Sequence, residues 1–323
     1  VEAELRLCFE KRRDRLPEKT TCFRWVDGEL EGTTVDLFGR VAVVSFYRST
    51  HVDEERRVAE ALTRIVELDA VYVKRRPQEA RQRANDELER VAPKKPVLGR
   101  EVQDLEVLEL DKKFLIRPGN GLSVGLYLDS RDARAFVASQ TRGRSVLNLF
   151  AYTCGFGVAA HRGGAQRVVN VDASRRVLDW GEENLRRNGT EPNHQDFVAH
   201  DVMAWLSWLV KRETSFDFII VDPPGFSTTK AGRFSAQRDY HELLSGVAQV
   251  AATGALVLAM CNVEAMTSAA FDKHVQRGLK SRRWRPVRAF GASSVDFSQP
   301  SALKCIALEM LEGPPSKERG SDA

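Results

Sequence analysis

Apolar residues in the first twenty positions fall at helical intervals: Leu5, Phe9 and Leu16 stand against Glu and Arg, and Pro17 closes the stretch. A helix is predicted over 1–20. Short apolar runs follow at Thr21–Val26, Thr33–Leu37 and Val41–Tyr47, divided by the turn signals Asp27-Gly28 and Gly39-Arg40, and read as strands. Val52–Leu68 returns to helical spacing through Val58, Ala61, Leu62 and Ile65, with acidic residues at its start where the helix dipole favours them. Ala70–Lys74 is a further strand, so this part predicts a small α+β domain. From about Gly143 the pattern changes to strand and helix in alternation. Strands are predicted at Ser145–Phe150, Arg167–Val171, Asp196–His200, Phe216–Val221 and Ala255–Met260. Helices are predicted at Ser174–Asn188, Val202–Lys211, Tyr240–Ala251 and Ser268–Leu279. Strands that are apolar on both faces and separated by helices make a parallel, doubly wound sheet. The organisation predicted is 1–110, 111–313 and a disordered tail at 314–323.

Length and composition add bounds. A chain of 323 residues, 42% hydrophobic, is long enough for more than one core. A net charge of +4 permits a nucleic-acid partner without requiring one. Between Lys74 and Arg100 nine Lys and Arg face four Asp and Glu, which reads either as a solvated linker or as a phosphate-contacting surface. Five cysteines lie scattered without a C-x-x-C pair, which fits a reducing cytoplasmic setting and no disulfide framework or metal site. No apolar run reaches the roughly 18 residues of a membrane span, and no signal-peptide pattern opens the sequence.

Candidate chemistry sits where the predicted parallel strands end. The first strand runs into Asn148-Leu149-Phe150-Ala151-Tyr152-Thr153-Cys154-Gly155-Phe156-Gly157, a glycine-containing turn before a helix N-terminus. It is not G-x-G-x-x-G, so a dinucleotide is disfavoured. The second strand ends at Asp172, placed to accept two ribose hydroxyls; the third is followed by Asp201, placed to accept from an adenine amino group. The fourth ends in Asp222-Pro223-Pro224-Gly225-Phe226. Each acid alone has a plainer reading as a helix cap. Together they occupy carboxyl ends of successive strands, where open α/β sheets bind ligands.

With these residues in view, the chain from about Gly125 to Met310 resembles the ribosomal RNA large-subunit methyltransferase I and K/L families. The matching stretches are Gly125-Leu126-Tyr127-Leu128-Asp129-Ser130-Arg131, Leu147–Thr153, Val171-Asp172-Ala173-Ser174, Asn184-Leu185-Arg186-Arg187-Asn188-Gly189 and Asp222–Ser227. Asp36-Leu37-Phe38-Gly39 is similar to the central α+β domain of the first group. The resemblance implies an α/β, Rossmann-like class I methyltransferase fold behind a small α+β domain, S-adenosylmethionine as donor and ribosomal RNA as substrate. It implies a cofactor site from Asn148, Phe150, Ala151, Tyr152, Thr153, Gly155, Asp172, Ala173, Asp201 and Asp222, with Asp222, Pro223 and Pro224 bordering the donor methyl and the target base. The group usually carries an N-terminal PUA domain, for which this sequence leaves no room. RNA affinity is then expected from the central domain, the basic 74–100 stretch or a partner.

Two target atoms stay open. Cytosine C5 requires a thiolate that adds to C6, and Cys261, just after the predicted fifth strand, stands where cytosine-C5 members place theirs; the plainer reading is an inert buried cysteine. Guanine N7 offers a lone pair and needs only orientation, and Phe226–Lys230 with Gln237-Arg238-Asp239 resembles the guanine-N7 half of the K/L enzyme. Lys230, Arg233 and Arg238 are candidates for RNA phosphates, and Phe226 for stacking on an extruded base; a solvated loop and a core aromatic are the alternatives. A small-molecule methyltransferase and an inactive RNA-binding or assembly protein of the same fold are the competing functions.

Overall fold

The computed structural model describes residues 2–76, 88–229, 232–298 and 301–312. The chain forms two compact units: Val1–Arg131 with Ala292–Pro300, and Asp132–Gly291 with Ser301–Ala323. The first unit therefore runs past residue 110 to Arg131 and takes back a segment from late in the sequence.

In the first unit, α1 (Glu2–Arg13) precedes β1 (Cys22–Leu30), β2 (Thr33–Phe38) and β3 (Val41–Phe46). These three strands form an antiparallel meander. Helix α2 (Val52–Thr63) crosses over to β4 (Ala70–Arg75), which runs parallel to β3; the short α3 (Leu88–Val91) follows, β5 (Leu98–Gly99) closes the sheet, and β6 (Leu105–Glu109) pairs antiparallel with β7 (Lys112–Ile116). α1 ends at Arg13, short of the predicted end, because Pro17 excludes helix from the residue before it. α2 ends at Thr63, yet Ile65, Val66 and Leu68 still pack on the core, so the apolar spacing outruns the helix. Leu5, Phe9, Trp25, Val44 and Leu62 fill this core, with Trp25 Nε1 donating to the Leu5 carbonyl at 2.7 Å.

The start of the basic stretch turns inward. Lys74 is fully buried and donates to the Pro118 carbonyl at 2.7 Å, and burial pulls its ammonium down to about 8. Arg75 pairs with Glu55 at 2.6 Å, and Arg76 donates to the Leu122 carbonyl. These three cations hold protein rather than phosphate. Arg81 and Arg83 lie outside the described residues.

The second unit is a seven-stranded sheet with helices on both faces. In chain order it comprises α4 (Arg131–Gln140), β8 (Ser145–Leu149), α5 (Gly155–Arg162), β9 (Arg167–Asp172), α6 (Arg175–Arg187) and β10 (Phe197–Ala199). Then come α7 (Val202–Lys211), β11 (Phe216–Val221), the hairpin β12 (Phe226–Thr229) and β13 (Gly232–Ser235), and α8 (Ala236–Val250). β14 (Ala251–Asn262), α9 (Ser268–Gly278), β15 (Trp284–Phe290) and β16 (Leu303–Met310) complete it. The order is β10-β9-β8-β11-β14-β16-β15. The five strands expected from the sequence are parallel, and β16 inserts antiparallel between β14 and β15. This is a Rossmann-like, mostly parallel sheet. Alternation along the strands splits the core: Leu147, Leu149, Val171, Ile219, Val221 and Val257 pack under α7, α8 and α9. Val146, Val168, Phe218, Ile220 and Leu258 pack on the opposite face, under α4 and α5. Chain order reverses between β8 and β11, so their carboxyl ends form the switch point at which sheets of this kind bind ligands. Among the described residues no helix is long and apolar enough to cross a membrane. The predicted tail, 314–323, lies outside them.

Candidate functional site

The turn after β8 is the most strained backbone of the second unit. Phe150, Tyr152 and Cys154 all take positive φ, at 58°, 49° and 58°. Such conformations cost about 1–3 kcal/mol each for residues with a side chain and persist where surroundings over-determine them, which is common at ligand sites. Here the surroundings are explicit. The Ala151 amide donates to the Val171 carbonyl at 3.0 Å. The Tyr152 amide donates to Asp172 Oδ2 at 3.0 Å, and the Ser174 amide to Asp172 Oδ1 at 2.9 Å. One carboxylate at the end of β9 thus fixes the turns after β8 and after β9. Burial raises the Asp172 carboxyl above its ordinary range, partly offset by the amides of Ser174, Tyr152 and Ala173. The carboxylate keeps acceptor capacity beyond these amides, so a ribose hydroxyl still finds an acceptor.

Asn148 and Thr153 are buried and act from behind the turn. Asn148 Nδ2 donates to Asn170 Oδ1 at 2.9 Å, and Asn184 Nδ2 of α6 donates to the Thr153 carbonyl at 2.9 Å. A Cβ at Gly181 would meet Cys154 Sγ at 2.3 Å and Cys154 Cβ at 2.9 Å. The bracing residues Gly181 and Asn184 carried no chemical signal of their own in the sequence; Asn184 appeared only inside a motif. Gly181→Ala is expected to cost about 1–3 kcal/mol of stability by overpacking and to weaken cofactor binding through the displaced turn. Cys154→Ala in the same chain should restore part of both, since it removes the nearer atom. Thermal melts and cofactor titration of the single and double variants check this.

Asp201 performs the capping role held open for it: Oδ1 accepts from the Ala204 amide at 2.9 Å at the N-terminus of α7. It does more, since Oδ2 accepts from Thr229 Oγ1 at 2.7 Å. Thr229 closes strand β12, so the segment after the Pro-Pro pair is a hairpin docked on Asp201, not the open loop expected. The hairpin is pinned again where the Ala236 amide meets the Gly225 carbonyl at 3.0 Å. Asp222 and Pro223 stand at its root, Pro224 is exposed, and Phe226 is 61% exposed, which excludes the core-aromatic reading. Arg233 is exposed on β13; Arg238 is exposed but pairs with Asp239 at 2.7 Å. Lys230 lies outside the described residues.

Cys261 is not placed after the fifth strand. β14 continues to Asn262, and Cys261 is 0% exposed, paired in register with Lys304 of β16. It shares its face with Val257 and Ala259, under α8 and α9. Burial raises the thiol, the Val263 amide and Lys304 lower it, and Asp222 raises it again; the net is upward. A thiolate nucleophile needs the opposite environment.

Residues 18–284 match the family model described as S-adenosylmethionine-dependent methyltransferase. The chain belongs to the S-adenosylmethionine-dependent methyltransferases. Among relatives of this methyltransferase, ribosomal RNA large subunit methyltransferase I of Aeromonas salmonicida is 31% identical over 268 residues, covering 82% of this chain and 65% of that protein. Ribosomal RNA large subunit methyltransferase K/L of Colwellia psychrerythraea is 32% identical over 236 residues, 69% of this chain and 31% of that protein. The methyltransferase thus spans less than two thirds of the length of these relatives. A solved chain from Streptococcus mutans, assigned as a methyltransferase, superposes with a TM-score of 0.82 at 23% identity over 95% of this chain and 81% of its own. At that identity the likeness concerns the fold. S-adenosylmethionine supplies an electrophilic methyl group. The residues present suit it: a carboxylate with spare acceptor capacity, a braced turn and a helix N-terminus meet at the switch point.

Proposed function

We propose that this methyltransferase modifies a base of large-subunit ribosomal RNA, and that the acceptor atom is guanine N7. The acceptor side carries the reading. Directly after Asp222 and the Pro-Pro pair, an exposed Phe226 stands on a hairpin with exposed Arg233, and exposed Arg238 follows in the first turn of α8, a surface suited to stacking on an extruded base and to nearby phosphates. The relatives named as ribosomal RNA methyltransferases support the substrate class. Phe150, Ala151, Tyr152, Gly155 and Ala173 would shape the cofactor cradle, Asp172 the ribose contacts and Asp201 the adenine edge. Asp222, Pro223 and Pro224 would orient the base.

The buried, raised thiol of Cys261 favours N7 over cytosine C5. A ring-nitrogen lone pair attacks without a protein nucleophile, so placement suffices; attack from C5 depends on a thiolate that this environment disfavours. The test is incubation with labelled S-adenosylmethionine and protein-free ribosomal RNA, then digestion and nucleoside identification. The expected product is 7-methylguanosine, formed at an undiminished rate by Cys261→Ser. Labelled 5-methylcytidine that vanishes in Cys261→Ser would overturn the atom, and labelling of small molecules but no RNA would overturn the substrate.

A further inference from the structure

Helix α7 carries apolar residues beyond the stripe that faces the core. Val202, Leu206 and Leu209 face the core. Beside them Trp205, half-buried against the same core, begins a column of π-systems that continues outward through Trp208 to Arg212 at the helix end. His200 lies 5.7 Å from Trp205 between ring centroids, Trp205 stacks on Trp208 at 4.3 Å with 17° between planes, and the Arg212 guanidinium sits 4.4 Å from the Trp208 centroid. His200 and Arg212 are exposed, and Trp208 is 39% exposed.

Stability alone does not account for this column. Trp205 Nε1 is covered and has no hydrogen-bond partner among the described residues, a cost that buried indoles usually avoid. Lys211 and Arg212 are exposed side by side, and neither forms an ion pair among the described residues. The column is also continuous with the acceptor hairpin: its first ring, His200, adjoins Asp201, on which Thr229 docks.

We propose that the His200–Trp205–Trp208–Arg212 column is a stacking surface for unpaired nucleotides of the RNA acceptor, outside the target-base pocket. This deepens the RNA reading and rests on it. Arg212 closes the column, so an incoming base stacks on the outer face of its guanidinium plane while the paired charges of Lys211 and Arg212 meet the backbone phosphates. Aromatic stacking tolerates any base, and the surface therefore contributes affinity for single strands rather than sequence choice.

The test uses the full chain and a fluorescein-labelled mixed-sequence oligoribonucleotide, single-stranded or annealed to its complement. Trp208→Ala should weaken single-strand binding about tenfold, in line with the loss of one stacked base, and Trp208→Phe should retain most of it. Arg212→Gln, a surface change that leaves folding intact, should weaken binding and lower the salt dependence by about one phosphate contact. S-adenosylmethionine affinity should not move in any of the three. Unchanged affinity and salt dependence in Arg212→Gln, with wild-type binding by Trp208→Ala, would overturn the column while leaving the RNA reading standing. Wild-type protein that neither binds nor methylates RNA would overturn the reading beneath it.

Discussion

Asp172→Ala is expected to lower S-adenosylmethionine affinity about 100-fold. Two hydrogen bonds from ribose hydroxyls to a charged acceptor are worth about 1.5 kcal/mol each at the low end, and 1.4 kcal/mol is tenfold in affinity. The same substitution strips the acceptor from the Tyr152 and Ser174 amides, so the positive-φ turn at Phe150–Cys154 loses one of its braces. Asp172→Asn separates the two roles. It keeps one acceptor oxygen and the shape of the side chain, so its loss should be smaller and its melting temperature closer to wild type. Calorimetric titration with S-adenosylmethionine, alongside thermal melts, measures both. Wild-type affinity in Asp172→Ala would remove Asp172 from the cofactor site.

Arg131→Met should destabilise the first unit by about 3–5 kcal/mol, the range for removing one partner of a buried ion pair. Arg131 closes the Gly125–Arg131 motif and is 1% exposed. It donates to Asp296 Oδ1 at 2.5 Å and to the Cys22 carbonyl at 2.6 Å, and its Nε lies 3.4 Å from Glu109. Without it buried Asp296 loses its cation and buried Glu109 loses one of its partners. Arg131→Lys keeps the charge but not the planar fork, and should lose less. Combining Arg131→Met with Asp296→Asn and Glu109→Gln should recover most of the loss, because no buried charge is then left uncompensated. Urea unfolding checks the series. The pH dependence carries a sign. Burial raises the Asp296 carboxyl to about 6 against the help of Arg131. The folded state therefore holds this proton more tightly than the unfolded chain, with its usual carboxyl near 3.9. The contribution is full below about pH 4 and lost as pH rises through about 6. Asp296→Asn should remove that component from the stability profile, and Arg131→Met should be less harmful at pH 5 than at pH 8.

The strand ends that carry the candidate site were readable because they are local. A strand ending in Asn148–Phe150, acids ending the next strands and a Pro-Pro loop are short-range patterns whose positions on a parallel sheet follow from alternation with helices. Cys261 was misplaced for a reason the sequence itself contained. Ala255, Val257, Ala259 and Cys261 share one parity, so an extended strand puts the sulfur on the same face as Val257, under α8 and α9. Ending the strand at Met260 hid that. The hairpin was missed because Ser227–Ser235 is polar, with no apolar alternation to mark two strands.

The sequence by itself determined the class of the sheet and the succession of strands and helices along the chain, since periodicity and turn chemistry act over a few residues, while the donor followed from the family resemblance. The tertiary structure decided what depends on partners far along the chain. β16 slots antiparallel between β14 and β15, and Arg131 finds Asp296 165 residues away. Asp201 caps a helix and receives the hairpin through Thr229. In each case the deciding quantity is which buried charge or polar group lacks a partner until the chain folds back, and no local pattern encodes that.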